Sequence, residues 1–164
     1  MAGVKDIRRL AFQTLYQLDA RHGDESGVVR DSLEGAEGFT SGERAKAFEM
    51  AEAAYARRKD ADRELEAIAP DWPPSRQAAV DRSILRLAWH EMTGGKTPPK
   101  VVINEAIELA KTFSTDKSPA FINGVLDKLF KRLPTTIQSA DANEPAIAPA
   151  PAAPLPPTVS EGEG

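Results

Sequence analysis

From Lys5 to Arg132 the apolar residues recur at intervals of three and four, and no stretch alternates apolar with polar as a half-buried strand does. A chain patterned in this way buries one stripe per helix, and its Gly and Pro clusters decide where each helix stops. Ile7, Leu10, Ala11, Thr14, Leu15 and Leu18 form the first stripe and predict a helix over residues 5–21. The following "HGDESGVVRDSLEGAEG" mixes glycines with acids and predicts a loop holding one short helix. Ser41 is a candidate cap for a second long helix to about residue 58, which "KDADRELEAIA" continues or restarts to residue 69. "PDWPP" then enforces a break, because proline lacks the N–H that a helix interior needs. Ser75 is the expected cap of the next helix, which buries Ala79, Ile84, Leu87, Ala88, Trp89 and Met92 and ends at Gly94 and Gly95. Two more helices are expected over residues 100–113 and 119–132, with Pro134 closing the folded part. The fold class is all-α.

Composition narrows the function. The chain has 164 residues, 41% of them apolar, which suffices for one ordinary globular core. It contains no cysteine, so a disulfide framework, a thiolate metal site and a cysteine nucleophile are all excluded, as suits a reducing cytoplasm. His22 and His90 are too few for a histidine-built site. No metal and no cofactor is expected. No window reaches the ~18 apolar residues of a membrane span, and "MAGVKDIRRLAFQ" lacks the apolar centre of a signal peptide, so a soluble cytoplasmic protein without a membrane partner is expected.

The formal net charge of −4 comes entirely from residues 135–164, whose four acids (Asp141, Glu144, Glu161, Glu163) meet no base. The rest balances 21 bases against 21 acids. A balanced body argues against indiscriminate coating of nucleic acid but permits a local basic face. The Pro- and Ala-rich "PAIAPAPAAPLPPTVSEGEG" has too few large apolar groups to offset its ordering entropy, so residues 135–164 are expected to form a disordered acidic tail behind a folded domain of residues 1–134.

Three motifs bear on chemistry. "GGKT", Gly94 to Thr97, ends like a phosphate-binding loop, but His90 stands where that loop needs a glycine and a helix precedes it instead of a strand. Glu105 and Glu108 lie three apart on one helix without a histidine, cysteine or nucleophile to work with, so no catalytic constellation forms and no enzyme is expected. On a helical wheel, Lys5, Arg8, Arg9, Phe12 and Tyr16 gather opposite the first apolar stripe. Cations interleaved with rings are what unstacked RNA bases and their phosphates require. The bland alternative is that the rings pack against other helices and the arginines are merely solvated.

"RRLAFQTLYQLD", "VDRSILRLAWHEM" and "PPKVVINEAIELAKTFSTDKSPAFINGVLDKL" together resemble the NusB transcription antitermination family over residues 4–132, with the order "INEAIELAK", a serine, then "FINGVLDK" the most specific part. The resemblance is weakest over residues 22–70 and in the tail. It implies an all-helical fold of two small bundles. It also implies a non-enzymatic protein that binds the boxA element of nascent ribosomal RNA together with the ribosomal small-subunit protein NusE, as part of an RNA polymerase antitermination complex. Carried over by position, the resemblance implies RNA contacts at Lys5, Arg8, Arg9, Lys117, Ser118 and Phe121, and a partner-facing role for Tyr16 and Asp81. Val4 and Asp6 dilute the arginine run usual for the family, which implies weaker intrinsic RNA binding, and Lys117 adds a cation that partly compensates.

The resemblance also supplies a reading for the polar residues beside the last two stripes. Gly124 costs a helix roughly 1 kcal/mol relative to alanine, so a closely approaching neighbour is expected there. Asn104 and Asn123 are expected to bond across helices or to a loop's backbone. Two alternatives stay open. NusB-like domains also open ribosomal RNA cytosine methyltransferases, although only 30 residues follow Pro134 here, with no cysteine and no glycine-rich cofactor loop. A self-associating structural protein would instead use Phe12 and Tyr16 as a homodimer contact.

Overall fold

A computed structural model describes residues 2–139, and every regular element among them is helical. The helices are α1 (Val4–Ala20), α2 (Ser26–Ser32), α3 (Ser41–Ala56), α4 (Arg58–Ile68), α5 (Ala79–Gly94), α6 (Pro99–Phe113), α7 (Ser118–Arg132) and α8 (Thr135–Gln138), with 3-10 turns at Leu33–Gly35 and Pro74–Arg76. The chain divides into two compact units, one ending at Lys59 and the other starting at Asp60. Among the described residues no helix is long and apolar enough to cross a membrane.

In the first unit α1 packs on α3 and touches α2. All six residues of the expected α1 stripe are buried, with Ala11 and Leu15 sealed completely. The Thr14 hydroxyl tolerates this because it donates to the Leu10 carbonyl at 2.7 Å. The first turn is closed by Asp6, whose carboxylate accepts the Gly3 N–H at 3.1 Å. The acid-rich loop contains α2, held inward by Val29 and by Leu33 just after it. Thr40, not Ser41, caps α3: its hydroxyl accepts the Glu43 N–H at 3.1 Å while the Glu43 carboxylate accepts the Thr40 N–H at 2.9 Å. Alanines 47, 51 and 54 are buried along α3 and let its neighbours approach closely. Gly23, in the turn after α1, has φ +81°, and a Cβ there would lie 2.8 Å from the Tyr55 ring.

In the second unit α5, α6 and α7 pack against one another. The helix expected to be capped by Ser75 is capped instead by Ala78 and begins at Ala79, because Ser75 is taken into the 3-10 turn and Gln77 and Ala78 run extended. Gln77 ties this loop to itself by donating to the Trp72 carbonyl at 3.0 Å. Burial covers far more of α5 than one stripe, from Ser83 to Trp89 without interruption, and then Glu91 and Met92. Arg86 is accommodated by Asp62, with Nε donating to Oδ1 at 2.9 Å and Nη2 to Oδ2 at 2.6 Å. The Trp89 indole likewise donates to Glu64 at 2.6 Å. Gly95 ends α5 in the left-handed conformation at φ +71°.

Structure continues past the expected end of the folded part. Thr135–Gln138 form α8, where the sequence reading starts the tail. The Gln138 side chain donates to the Leu133 carbonyl at 2.6 Å, and Ile137 stands within 3.6 Å of where a Cβ on Gly95 would be. Residues 140–164, the remainder of the expected tail, lie outside the described residues. Gly124 is buried on α7. Asn104 is exposed on α6 and so does not play the buried, cross-helix part expected of it, while Asn123 is half-buried.

Candidate nucleic-acid interface

The first unit presents one exposed line along α1. Lys5, Arg9, Gln13 and Tyr16 are exposed and follow one another at helical spacing, with Arg9 and Tyr16 about 10 Å apart along the axis. Arg9 meets Asp6 at 3.7 Å, both side chains about half exposed at 50% and 46%, so the pair contributes little and leaves the guanidinium available to an anion. The other two members of the expected face are not on the surface. Arg8 is 5% exposed and Phe12 3%. Burial on α1 therefore spans a wider arc than a single stripe, and the structure places Arg8 inside that arc and not on the exposed line. Tyr16, at 40% exposure, does keep its ring on the surface.

The second unit presents the connection between α6 and α7. Ser114 caps the end of α6 by donating its N–H to the Ala110 carbonyl at 2.9 Å, and the Ser118 N–H reaches back to the Thr115 carbonyl at 3.1 Å to close the turn. Lys117 is exposed and stands at the N-cap of α7, with its carbonyl accepting the Phe121 N–H at 3.3 Å. Ser118 and Phe121, expected to touch RNA beside it, are 3% and 5% exposed. They support the loop from below instead of facing outward.

Ser118, together with Ser114, is bonded to Asp81. Its Oδ1 accepts the Ser114 hydroxyl at 2.6 Å and its Oδ2 the Ser118 hydroxyl at 2.9 Å. Each serine has a single O–H to give. The two serine hydroxyls also lie 2.8 Å from each other and Thr115 Oγ1 lies 3.0 Å from Ser118 Oγ, so three hydroxyls and one carboxylate share a single hydrogen-bonded cluster. Asp81 is half-buried, and both of its oxygens are engaged within the chain. Ser114 and Thr115 carry no signal of periodicity. The run of hydroxyls in "FSTDKS" next to a helix start was the one available hint of local polar bonding.

Comparison with known proteins decides the family. The NusB family profile matches residues 5–131. The chain belongs to the NusB family. Among its relatives is the transcription antitermination protein NusB of Anaeromyxobacter sp. (strain Fw109-5), 38% identical over 145 residues, covering 82% of this chain and 94% of the relative. Among solved structures, a NusB of T. maritima superposes with a TM-score of 0.72 at 28% identity, covering 83% of this chain and 96% of that one. A complex of the antitermination factors NusB and NusE with double-stranded RNA matches with a TM-score of 0.65 at 25% identity, covering 78% of this chain and 96% of that one.

Proposed function

We propose that this protein is a transcription antitermination factor that binds boxA-type RNA of ribosomal RNA transcripts together with NusE, within an RNA polymerase antitermination complex. The observation that carries this reading is family membership along residues 5–131, with a family relative solved in complex with both NusE and RNA. The chain's own chemistry supports it. Exposed Lys5 and Arg9 in the first unit and exposed Lys117 in the second are cations available to phosphates, and each contact adds affinity by releasing counterions. Tyr16 is a rigid, half-polar ring of the type enriched in protein interfaces and contributes to the NusE surface. On this reading buried Ser118, bonded to Asp81, and Phe121, whose N–H donates to the Lys117 carbonyl, hold the surroundings of Lys117 in place.

The test is a titration of labelled boxA RNA with the purified protein, alone and with NusE, beside a scrambled RNA of equal length. The reading expects preference for boxA and tighter binding with NusE present. Equal binding to both RNAs, with no effect of NusE, contradicts it. A sizing measurement in the same buffers separates the self-associating alternative, which predicts a homodimer with no RNA affinity.

A further inference from the structure

We infer that Asp81 is a positioning residue for the RNA-facing loop, setting the place of Lys117 through the hydroxyls of Ser114 and Ser118. The inference rests on the proposed function and deepens it. Asp81 lies in the first turn of α5, whereas Ser114 is the last-turn cap of α6 and Ser118 the first residue of α7. One carboxylate thus fixes both ends of the connection, with Oδ1 on Ser114 at 2.6 Å and Oδ2 on Ser118 at 2.9 Å. The residues between the two serines are exposed, so these bonds, the 2.8 Å contact of the two serine hydroxyls that the carboxylate holds together, and the Thr115–Ser118 pair restrain a segment that burial alone leaves free. Lys117 precedes the anchored Ser118 directly. A loop ordered before RNA arrives does not lose that freedom on binding, which raises affinity without a new contact.

Charge and position predict opposite signs here. Asp81 is an acid near a phosphate-binding cation, so by its charge alone its removal strengthens RNA binding. By positioning, its removal weakens binding. The experiment measures boxA affinity and its salt dependence for the full chain and for Asp81→Ala, Asp81→Asn, Lys117→Ala and the Asp81→Ala/Lys117→Ala double variant. The inference expects Asp81→Ala to bind about ten-fold more weakly, to lose salt dependence as Lys117→Ala does, and to add little on top of Lys117→Ala. Asp81→Asn keeps an acceptor for one serine and can donate to the other's oxygen, so it recovers most of the affinity. A Ser114→Ala/Ser118→Ala variant, which keeps the carboxylate, carries the same test if Asp81→Ala does not fold, and it too is expected to weaken binding. Binding by Asp81→Ala or by the serine variant as tight as the parent's, while Lys117→Ala is weakened, overturns the inference and leaves the proposed function standing. No effect of Lys117→Ala removes this loop from the RNA surface, and the inference falls with it.

Discussion

The guanidinium of Arg86 grips the carboxylate of Asp62 through two bonds, at 2.9 and 2.6 Å, across 24 residues of sequence. The arginine side chain is 8% exposed and the aspartate 29%. A fork-to-fork pair of this kind fixes direction as well as distance, so it locks the turn of α4 that bears Asp62 to the middle of α5. Replacing Asp62 by alanine takes both bonds from a buried cation. The expected loss is about 3 kcal/mol, the upper end for removing hydrogen bonds to a charged group. Chemical denaturation of the variant beside the parent measures it.

Gly23 is expected to tolerate no side chain. It combines φ +81° with a Tyr55 ring atom 2.8 Å from the Cβ position, and that ring is itself covered by the Arg58 guanidinium at 4.0 Å. Gly23→Ala is expected to cost about 1–2 kcal/mol from backbone handedness alone, with displacement of the ring added to that. A Gly27→Ala control, where nothing lies within 4 Å, is expected to be neutral or slightly stabilising in the same thermal melts.

Truncation distinguishes the two ends proposed for the folded part. Ending the chain after Ser139 keeps α8, while ending it after Pro134 removes Ile137 from beside Gly95 and Gln138 from the Leu133 carbonyl. The shorter form is expected to be less stable by about 1 kcal/mol, as partial burial of one aliphatic side chain implies. Both truncations discard Asp141, Glu144, Glu161 and Glu163, so both are expected to bind RNA slightly more tightly at low salt. Equal melting temperatures for the two forms would show that α8 adds nothing.

The periodic elements were legible in the sequence and the polar ties were not. The ends of α1, α6 and α7 fall within one residue of those expected, because a wide apolar stripe bounded by Pro, Gly or a hydroxyl leaves few alternatives. The start of α5 lies three residues beyond the one that a Ser75 cap predicts. Pro73 and Pro74 favour a 3-10 turn that absorbs Ser75, and a cap signal is silent about which of two successive turns it serves. Thr40 with Glu43 is a capping box that the sequence itself spells, one residue ahead of the Ser41 cap expected. Arg8 and Phe12 were misplaced because a helical wheel identifies the most apolar side but not the width of the arc that neighbours cover. The bond from Ser118 to Asp81 spans 37 positions and joins two polar side chains, a pairing that no local period encodes.

Tyr16 tests the partner surface. The ring is 40% exposed on α1, so Tyr16→Ala is expected to leave stability within about 0.5 kcal/mol of the parent. Loss of an interface aromatic typically costs about 2 kcal/mol, and NusE binding is expected to weaken accordingly while boxA binding by the protein alone is unchanged. Calorimetry with purified NusE reads the first and an RNA titration the second.

The salt dependence of boxA binding tests the central claim most directly, because it counts phosphate contacts. Each contact to single-stranded RNA adds about 0.7 to the slope of log affinity against log salt. A Lys5→Ala/Arg9→Ala/Lys117→Ala variant, whose three positions are exposed and so leave the core intact, is expected to retain its helical content, bind boxA more weakly and show a slope shallower by about 2. A folded triple variant with the parent's affinity and slope would contradict the account, since RNA would then be held by some other surface.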